Sequence, residues 1–313
     1  MILVTGGSGF VGRALTREFA RRGLPFGTAG RRAGSCDFVV GDIDGATDWA
    51  GALAGIDQVV HLAARVHVMH DNTSDPLAAF RTSNRDGTLN LARQAAAFGV
   101  KRFVFVSTLK VNGEETAPGR AFRADDTPHP LDPYGISKRE AEEGLFDIAA
   151  RTGMEVVCIR PPLVYGPGVK ANFAALHKLA SSGFPLPFLA IRNRRSMVYV
   201  GNLVDFILRC LEHPAAANRV FLVSDGDDVS LPVLISRIRA SLGRPARLFP
   251  VPPFMFTLAA RLLGKQAVAQ RLLGSLEADI TDSRAALEWA PPFTMEDGLK
   301  AMAAEQPLTS GQK

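Results

Sequence analysis

Short apolar runs alternate with stretches of helical period through the first half of the chain. Residues 2–4 read as a strand, and 10–22 as an amphipathic helix that Gly23 can stop in the left-handed conformation. Residues 25–29 form a weaker strand candidate, 37–40 a third, and 58–62, 102–107 and 155–159 clear ones. Helix-like segments fall between them, at about 77–98 and 134–150. This alternation predicts an α/β protein with a doubly wound parallel sheet and helices on both faces. After Pro161 the pattern loosens into RPPLVYGPGVK, a helical stretch near 172–182 and the proline-rich SGFPLPF. Strand-like pieces at 197–200 and 220–223 are expected to return to the main sheet or its edge. The expected division is a sheet domain of 1–165 plus about 197–225, and a smaller, discontinuous α/β domain of about 166–196 and 226–313.

Composition narrows the classes. The 36 Lys and Arg against 31 Asp and Glu give a net charge of +5, but the basic residues are scattered and form no block interleaved with aromatics. That argues against a nucleic-acid partner. Cys36, Cys158 and Cys210 are odd in number, far apart and never in a CxxC pair. A disulfide framework and a zinc site are therefore not expected, and a reducing, cytoplasmic setting is. The chain opens MILVTGG, without the pattern of a secretory signal. The most apolar late stretch, VPPFMFTLAARLLG (251–264), contains Arg261 and is shorter than the ~20 residues of a membrane span. A buried or lid helix is expected there, with a membrane-surface helix as the alternative.

Three motifs carry chemistry. ILVTGGSGFVG (2–12) sets a glycine-rich turn between strand and helix, with Gly6, Gly9 and Gly12 spaced GxxGxxG. Such a turn brings backbone N–H groups and a helix N-terminus to a pyrophosphate, so dinucleotide binding is expected. DPYGISKREAE (132–142) puts Tyr134 and Lys138 four apart on one helix face, where a cation beside a phenol favours the phenolate. VFVSTLKVNG (104–113) ends a strand in Ser107 and Thr108, hydroxyls that could hold a substrate oxygen while Tyr134 exchanges its proton. The histidines are weaker candidates: His61 reads as structural, and His67 and His70 lack the company of a metal site.

Together TGGSGFVG, HLAA (61–64), VSTLKVNG, YGISK and RPPLVYGPG resemble the extended short-chain dehydrogenase/reductase family, in its UDP-galactose-4-epimerase-like branch of nucleotide-sugar 4-epimerases and 4-keto reductases. The resemblance covers about residues 1–225 well and the last third loosely. It implies a Rossmann domain for NAD(P) and a smaller domain for a nucleotide-diphosphate sugar. It also implies a homodimer formed through helices near 77–98 and 134–150. In its terms Tyr134 is the acid/base, Lys138 the nicotinamide-ribose ligand that lowers the Tyr134 pKa, and Thr108 the catalytic hydroxyl, with Ser107 at the cofactor. Gly6, Gly9, Phe10 and Val11 match the pyrophosphate loop and Asp42 and Ile43 the adenine contact. Leu62, Ala63 and Ala64 match the wall beside the cofactor, and Pro161 and Val164 match positions near the nicotinamide. Asn172 matches a donor to the substrate pyrophosphate and Arg195 a phosphate or nucleoside contact. Asp205 matches the same region, or is a structural cap, and Arg271 is a weaker phosphate candidate.

Departures from the family pattern sharpen this. Sugar-nucleotide dehydratases of the family carry an Asp-Glu pair where this chain has Leu109 and Lys110, so dehydration is not expected. Asn112 replaces the tyrosine of VYG, and Leu163 stands where the epimerase has an asparagine. Hydride transfer at sugar C4 remains. FGTAGRR (26–32) places Arg31 and Arg32 where an acidic residue usually meets the adenosine ribose. Arginines there suit a 2′-phosphate, which favours NADP(H) over NAD(H). That tilts the expectation to a 4-keto-6-deoxyhexose reductase of cell-surface polysaccharide precursors. A UDP-hexose 4-epimerase with tightly bound NAD is the alternative, and a non-catalytic dinucleotide sensor is the reading from a different class.

Overall fold

The computed structural model describes residues 1–66, 75–117 and 119–305, apart from the side chains of residues 172, 267, 271 and 305. Seven strands form one parallel sheet: β1 (Ile2–Thr5), β2 (Phe26–Gly30), β3 (Phe38–Val39), β4 (Gln58–His61), β5 (Arg102–Val106), β6 (Glu155–Arg160) and, after two strands outside this sheet, β9 (Arg219–Leu222). Their order is β3-β2-β1-β4-β5-β6-β9. The chain thus moves outward from β1 and then returns past it to β4. Ligands of such sheets sit at the carboxyl ends of the strands where this reversal occurs.

Strand alternation distributes the core. Ile2 and Val4 join one apolar cluster with Leu15 and Phe19 of the Phe10–Arg22 helix and Phe206 and Ile207 of the Val200–Glu212 helix. Leu3 points the other way, to Trp49, Leu91 of the Thr88–Ala97 helix and Leu145 of the Pro133–Thr152 helix. Burial on both faces explains why these strands read as continuous apolar runs. The first helix ends where the sequence indicates: Gly23 has φ 67° and closes it in the left-handed conformation.

Three features differ from the sequence expectation. Residues 197–200 do not return to the main sheet. β8 (Met197–Tyr199) pairs in parallel with β7 (Leu163–Tyr165) in a separate two-stranded sheet, while β9 takes the expected edge beside β6. Pro161 and Pro162 follow β6 directly and cannot donate to a ladder, so the chain leaves the sheet there. The β7–β8 pair belongs to a third apolar core with Phe173, Leu186, Ile235 and Leu299. The helical stretch 77–98 is interrupted: Pro76–Arg81 runs into a π-helical segment, Thr82–Gly87, before Thr88–Ala97. Gly87 is needed there, since a Cβ would stand 2.7 Å from Ile43 Cγ2. Finally, Pro253–Leu262 is not a buried helix; Leu262 is 79% exposed and Phe254 68%. Among the described residues no helix is long and apolar enough to cross a membrane.

Candidate active site

β1 runs straight into the glycine turn, and stereochemistry dictates the residue type there. Gly6 has φ +73°, and a Cβ on it would lie 2.7 Å from the Ala63 amide nitrogen. A Cβ on Gly12 would lie 2.2 Å from the Gly6 carbonyl oxygen. The turn is closed by the Gly9 amide donating to the Gly6 carbonyl (2.9 Å). Gly9 caps the following helix without a side-chain hydrogen bond, and its first turn, which includes Phe10 and Val11, holds no acidic residue. Free N–H groups and an uncompensated helix N-terminus make this a cradle for a diphosphate. Leu62, Ala63 and Ala64, each half-buried, follow β4 along the other side of the turn.

The helix bearing Tyr134 and Lys138 is started by Asp132, whose Oδ1 accepts from the Gly135 amide (2.6 Å), with Pro133 in the first turn. Lys138 is buried, its Nζ 3.8 Å from the centroid of the Phe105 ring. This cation–π contact brings the helix to the end of β5, two residues before Ser107. Burial pulls the Lys138 ammonium down to about 7 against the opposing charge of Glu142. Burial also raises the Tyr134 phenol above its ordinary range, and the Asp132 carboxylate adds to the rise. Burial thus acts on the phenol in the direction opposite to the depression expected from Lys138.

Ser107 and Thr108 follow β5. The Ser107 amide donates to the Ile159 carbonyl (2.7 Å), while its buried hydroxyl has no hydrogen-bond partner among the described residues. An orphaned buried hydroxyl of this kind fits a site completed by a polar ligand. Thr108 caps a short 3-10 turn, Leu109–Val111, and its Oγ1 accepts from the Lys110 amide (3.3 Å). Lys110 itself reaches Glu114 (2.9 Å) and the second oxygen of Asp132. Where a dehydratase carries its carboxylates, this chain thus has a cation that neutralises the cap of the Tyr134 helix. Asn112 is also engaged: its Oδ1 accepts from Arg160 (3.1 Å), which is paired with Glu142 (2.6 Å) in the core.

A buried polar column links the glycine turn to the same helix. His61 Nδ1 lies 2.7 Å from Thr5 Oγ1 and its Nε2 3.0 Å from Thr88 Oγ1. Thr88 donates to the Asn84 carbonyl (2.7 Å), so it accepts from Nε2–H, and Nδ1 accepts from Thr5; the network assigns this tautomer. Asn84 Nδ2 donates to Ser137 Oγ (3.1 Å), and Ser137 donates to the Tyr134 carbonyl (2.8 Å). Burial, with the Lys138 ammonium adding, lowers His61 to about 3, so its ring is neutral at neutral pH. His61 is structural, as its strand-end position indicates.

The rim is different in kind. Parallel pairing of Ala29 with Thr5 puts the end of β2 beside the glycine turn, and Arg31 and Arg32 follow at once, both exposed. Arg31 Nη1 lies 3.5 Å from Asp42 Oδ1, with both side chains largely in solvent. Ile43 is half-buried. Pro161, buried after β6, accepts the Leu109 amide at its carbonyl (2.9 Å), and Val164 lies on β7.

On the substrate side Arg195 is half-buried: its amide donates to the Val229 carbonyl (3.0 Å) and its guanidinium to the Gly274 carbonyl (3.1 Å). Burial lowers its pKa. In the run RNRR it stands apart from the exposed Arg192 and Arg194. Asn172 is the second residue of the Ala171–Ser181 helix. Asp205 is not a cap; it sits within the Val200–Glu212 helix and accepts from Trp289 Nε1 (2.8 Å). The Arg271 side chain, His67 and His70 lie outside the described residues. No cluster of potential metal ligands occurs among the described residues. Sequence reasoning missed Asn84 and Asp132 as neighbours of the site. Of these, only the Asp132-Pro133 helix start carried a signal, that of an N-cap.

The reversal in the sheet, the glycine cradle and the Tyr–Lys helix define a nicotinamide-dinucleotide enzyme of the extended short-chain dehydrogenase/reductase class. The chain belongs to the NAD dependent epimerase/dehydratase family, which matches over residues 2–224. It is 47% identical over 308 residues to the UDP-glucose 4-epimerase of Vibrio cholerae, across 96% of this chain and 94% of that protein. It is 29% identical to the N-acetyl-alpha-D-glucosaminyl-diphospho-ditrans,octacis-undecaprenol 4-epimerase of Escherichia coli O157:H7, across 95% of this chain and 92% of that one. Among solved structures, the UDP-N-acetylglucosamine 4-epimerase of Bacillus cereus shares the fold, with a TM-score of 0.80 at 20% identity and coverage of 97% and 98%.

Proposed function

We propose that the protein is an NAD(P)-dependent 4-epimerase of a UDP-hexose. The near-full-length identity to the Vibrio cholerae UDP-glucose 4-epimerase carries this reading. The residues present fit a dinucleotide, since Gly6 and Gly12 permit a tight turn that no Cβ would allow, the helix that follows starts without an acidic residue, and the buried Ser107 hydroxyl has no partner among the described residues. Gly6, Gly9, Phe10 and Val11 would hold its diphosphate and Asp42 with Ile43 its adenine. Leu62, Ala63, Ala64, Pro161 and Val164 would wall its nicotinamide half. When bound, that group supplies the hydride acceptor and donor. Tyr134 takes the proton of the C4 hydroxyl and later returns it, and Thr108 holds the same oxygen. Lys138 binds ribose hydroxyls and balances the phenolate. Arg195 and Asn172 hold the substrate diphosphate, between the sheet and the third core built from about 166–196 and 226–313. The helices Pro76–Arg81, Thr88–Ala97 and Pro133–Thr152 form the contact of a homodimer.

Arg31 and Arg32 favour a second reading, a net 4-keto reductase drawing on NADPH, and they are the reason the sequence tilts that way. Incubation with UDP-glucose separates the two. The epimerase forms the C4 epimer with no net change in reduced dinucleotide. A chain that leaves UDP-glucose untouched but consumes NADPH with a 4-keto sugar nucleotide is the reductase.

A further inference from the structure

The helices Pro253–Leu262 and Gln266–Leu273 pack on one another as a hairpin whose inner side is settled. Phe256 meets Phe188 with ring centroids 5.6 Å apart, Ala260 and Ala269 are buried, and Leu272 and Leu273 pack on the third core. The outer side is apolar as well. Phe254, Leu258 and Leu262 recur every fourth residue along it, with Met255, Leu263 and Val268 beside them, and each is about half exposed or more. Of the eighteen large apolar side chains that stand exposed among the described residues, seven fall between 249 and 268. Such a concentration marks an interaction surface rather than ordinary surface scatter.

Charge selects the occupant. Residues 249–274 contain Arg261, Lys265 and Arg271 and no Asp or Glu. Arg261 and Lys265 are exposed, and among the described residues neither has an acidic partner. A second copy docked face to face would bring these cations together with no carboxylate from either hairpin to meet them. A bilayer rich in anionic headgroups offers phosphates to the cations and an acyl boundary to the apolar side chains.

We propose that this hairpin seats the protein on an anionic lipid bilayer, with Phe254, Leu258 and Leu262 at the acyl boundary and Arg261 and Lys265 at lipid phosphates. The hairpin leads directly into Gly274, whose carbonyl holds the Arg195 guanidinium, so docking would present the substrate side of the molecule to the membrane surface. The docking surface stands on its own observations and does not depend on which sugar is turned over.

Purified full-length protein is pelleted with vesicles of phosphatidylcholine alone or mixed with phosphatidylglycerol. Binding to the mixed vesicles is expected, falling about fivefold for each of Arg261→Gln and Lys265→Gln. It falls at least about tenfold for the triple variant Phe254→Ser, Leu258→Ser, Leu262→Ser, whose turnover of a soluble substrate is unchanged. Should the triple variant fail to fold, Leu258→Trp serves instead: its emission shifts to the blue on mixed vesicles. Three results overturn the proposal. They are absent binding of the unaltered protein to mixed vesicles, a Leu258→Trp emission that does not move, and a triple variant that turns an oligomer into a monomer in sedimentation while still binding lipid.

Discussion

The proposed dinucleotide cleft has two halves of different construction. The inner half, around Gly6, Gly12, His61 and Lys138, is fixed by contacts that admit almost no other residue: a Cβ on Gly12 would overlap the Gly6 carbonyl, and Lys138 is buried against Phe105. The outer half, around Arg31, Arg32 and Asp42, is exposed, with a loose ion pair of 3.5 Å between Arg31 and Asp42. Exposed pairs of this kind contribute ~1 kcal/mol or less. Chemistry shared by a whole family therefore belongs in the inner half, while cofactor preference belongs at the rim, where substitutions cost the fold little.

Substitutions should separate the halves in order of effect. Tyr134→Phe should lower turnover by roughly 10² to 10⁴ while the dinucleotide stays bound, as read by kinetics and by absorbance of the released cofactor. Turnover within tenfold of the unaltered enzyme would remove Tyr134 from the chemistry. Gly12→Val forces a branched side chain onto a carbonyl, and a loss of several kcal/mol in stability together with dinucleotide binding is expected in thermal melts.

His61 supplies a pH test of the inner half. Its folded pKa, about 3, lies below the ordinary 6.5, so the unfolded chain binds the extra proton between those values. Stability should be intact above pH 6.5 and fall as the pH drops toward 3, by roughly 2 to 3 kcal/mol from this group at pH 4.5. Melting that does not change between pH 7 and 4.5 would contradict the buried, neutral imidazole.

At the rim, Arg31→Ala should leave the melting temperature nearly unmoved and lower the ratio of NADP(H) to NAD(H) affinity by about tenfold. An unchanged ratio would make Arg31 an ordinary solvated arginine. The smallest effect is expected from Lys110→Met. Without the cation, Asp132 acts on Tyr134 unopposed, so the acidic limb of the rate profile, set by deprotonation of the Tyr134 base, should move to higher pH, and Lys110→Arg should restore it.

The same contrast explains what the sequence makes legible. The glycine turn, the Phe10–Arg22 helix and the order of the first strands are readable because sterics and two-sided burial restrict residue type. β7 hides in a proline-rich stretch and finds its partner, β8, more than thirty residues later, which no local pattern reports. Asn84 falls inside an ordinary helical period, and only the π-helical turn aims it at Ser137. The stretch 251–264 differs for the opposite reason: its apolar residues suit a buried or lid helix, yet most of them face outward.

The central claim is that hydride leaves C4 of the sugar and returns to the same carbon. UDP-glucose carrying deuterium at C4 tests it most directly, with the products resolved by NMR. The account predicts the C4 epimer with deuterium retained at C4. A product that has lost the label to solvent, or no epimer with an active, dinucleotide-loaded enzyme, would contradict it.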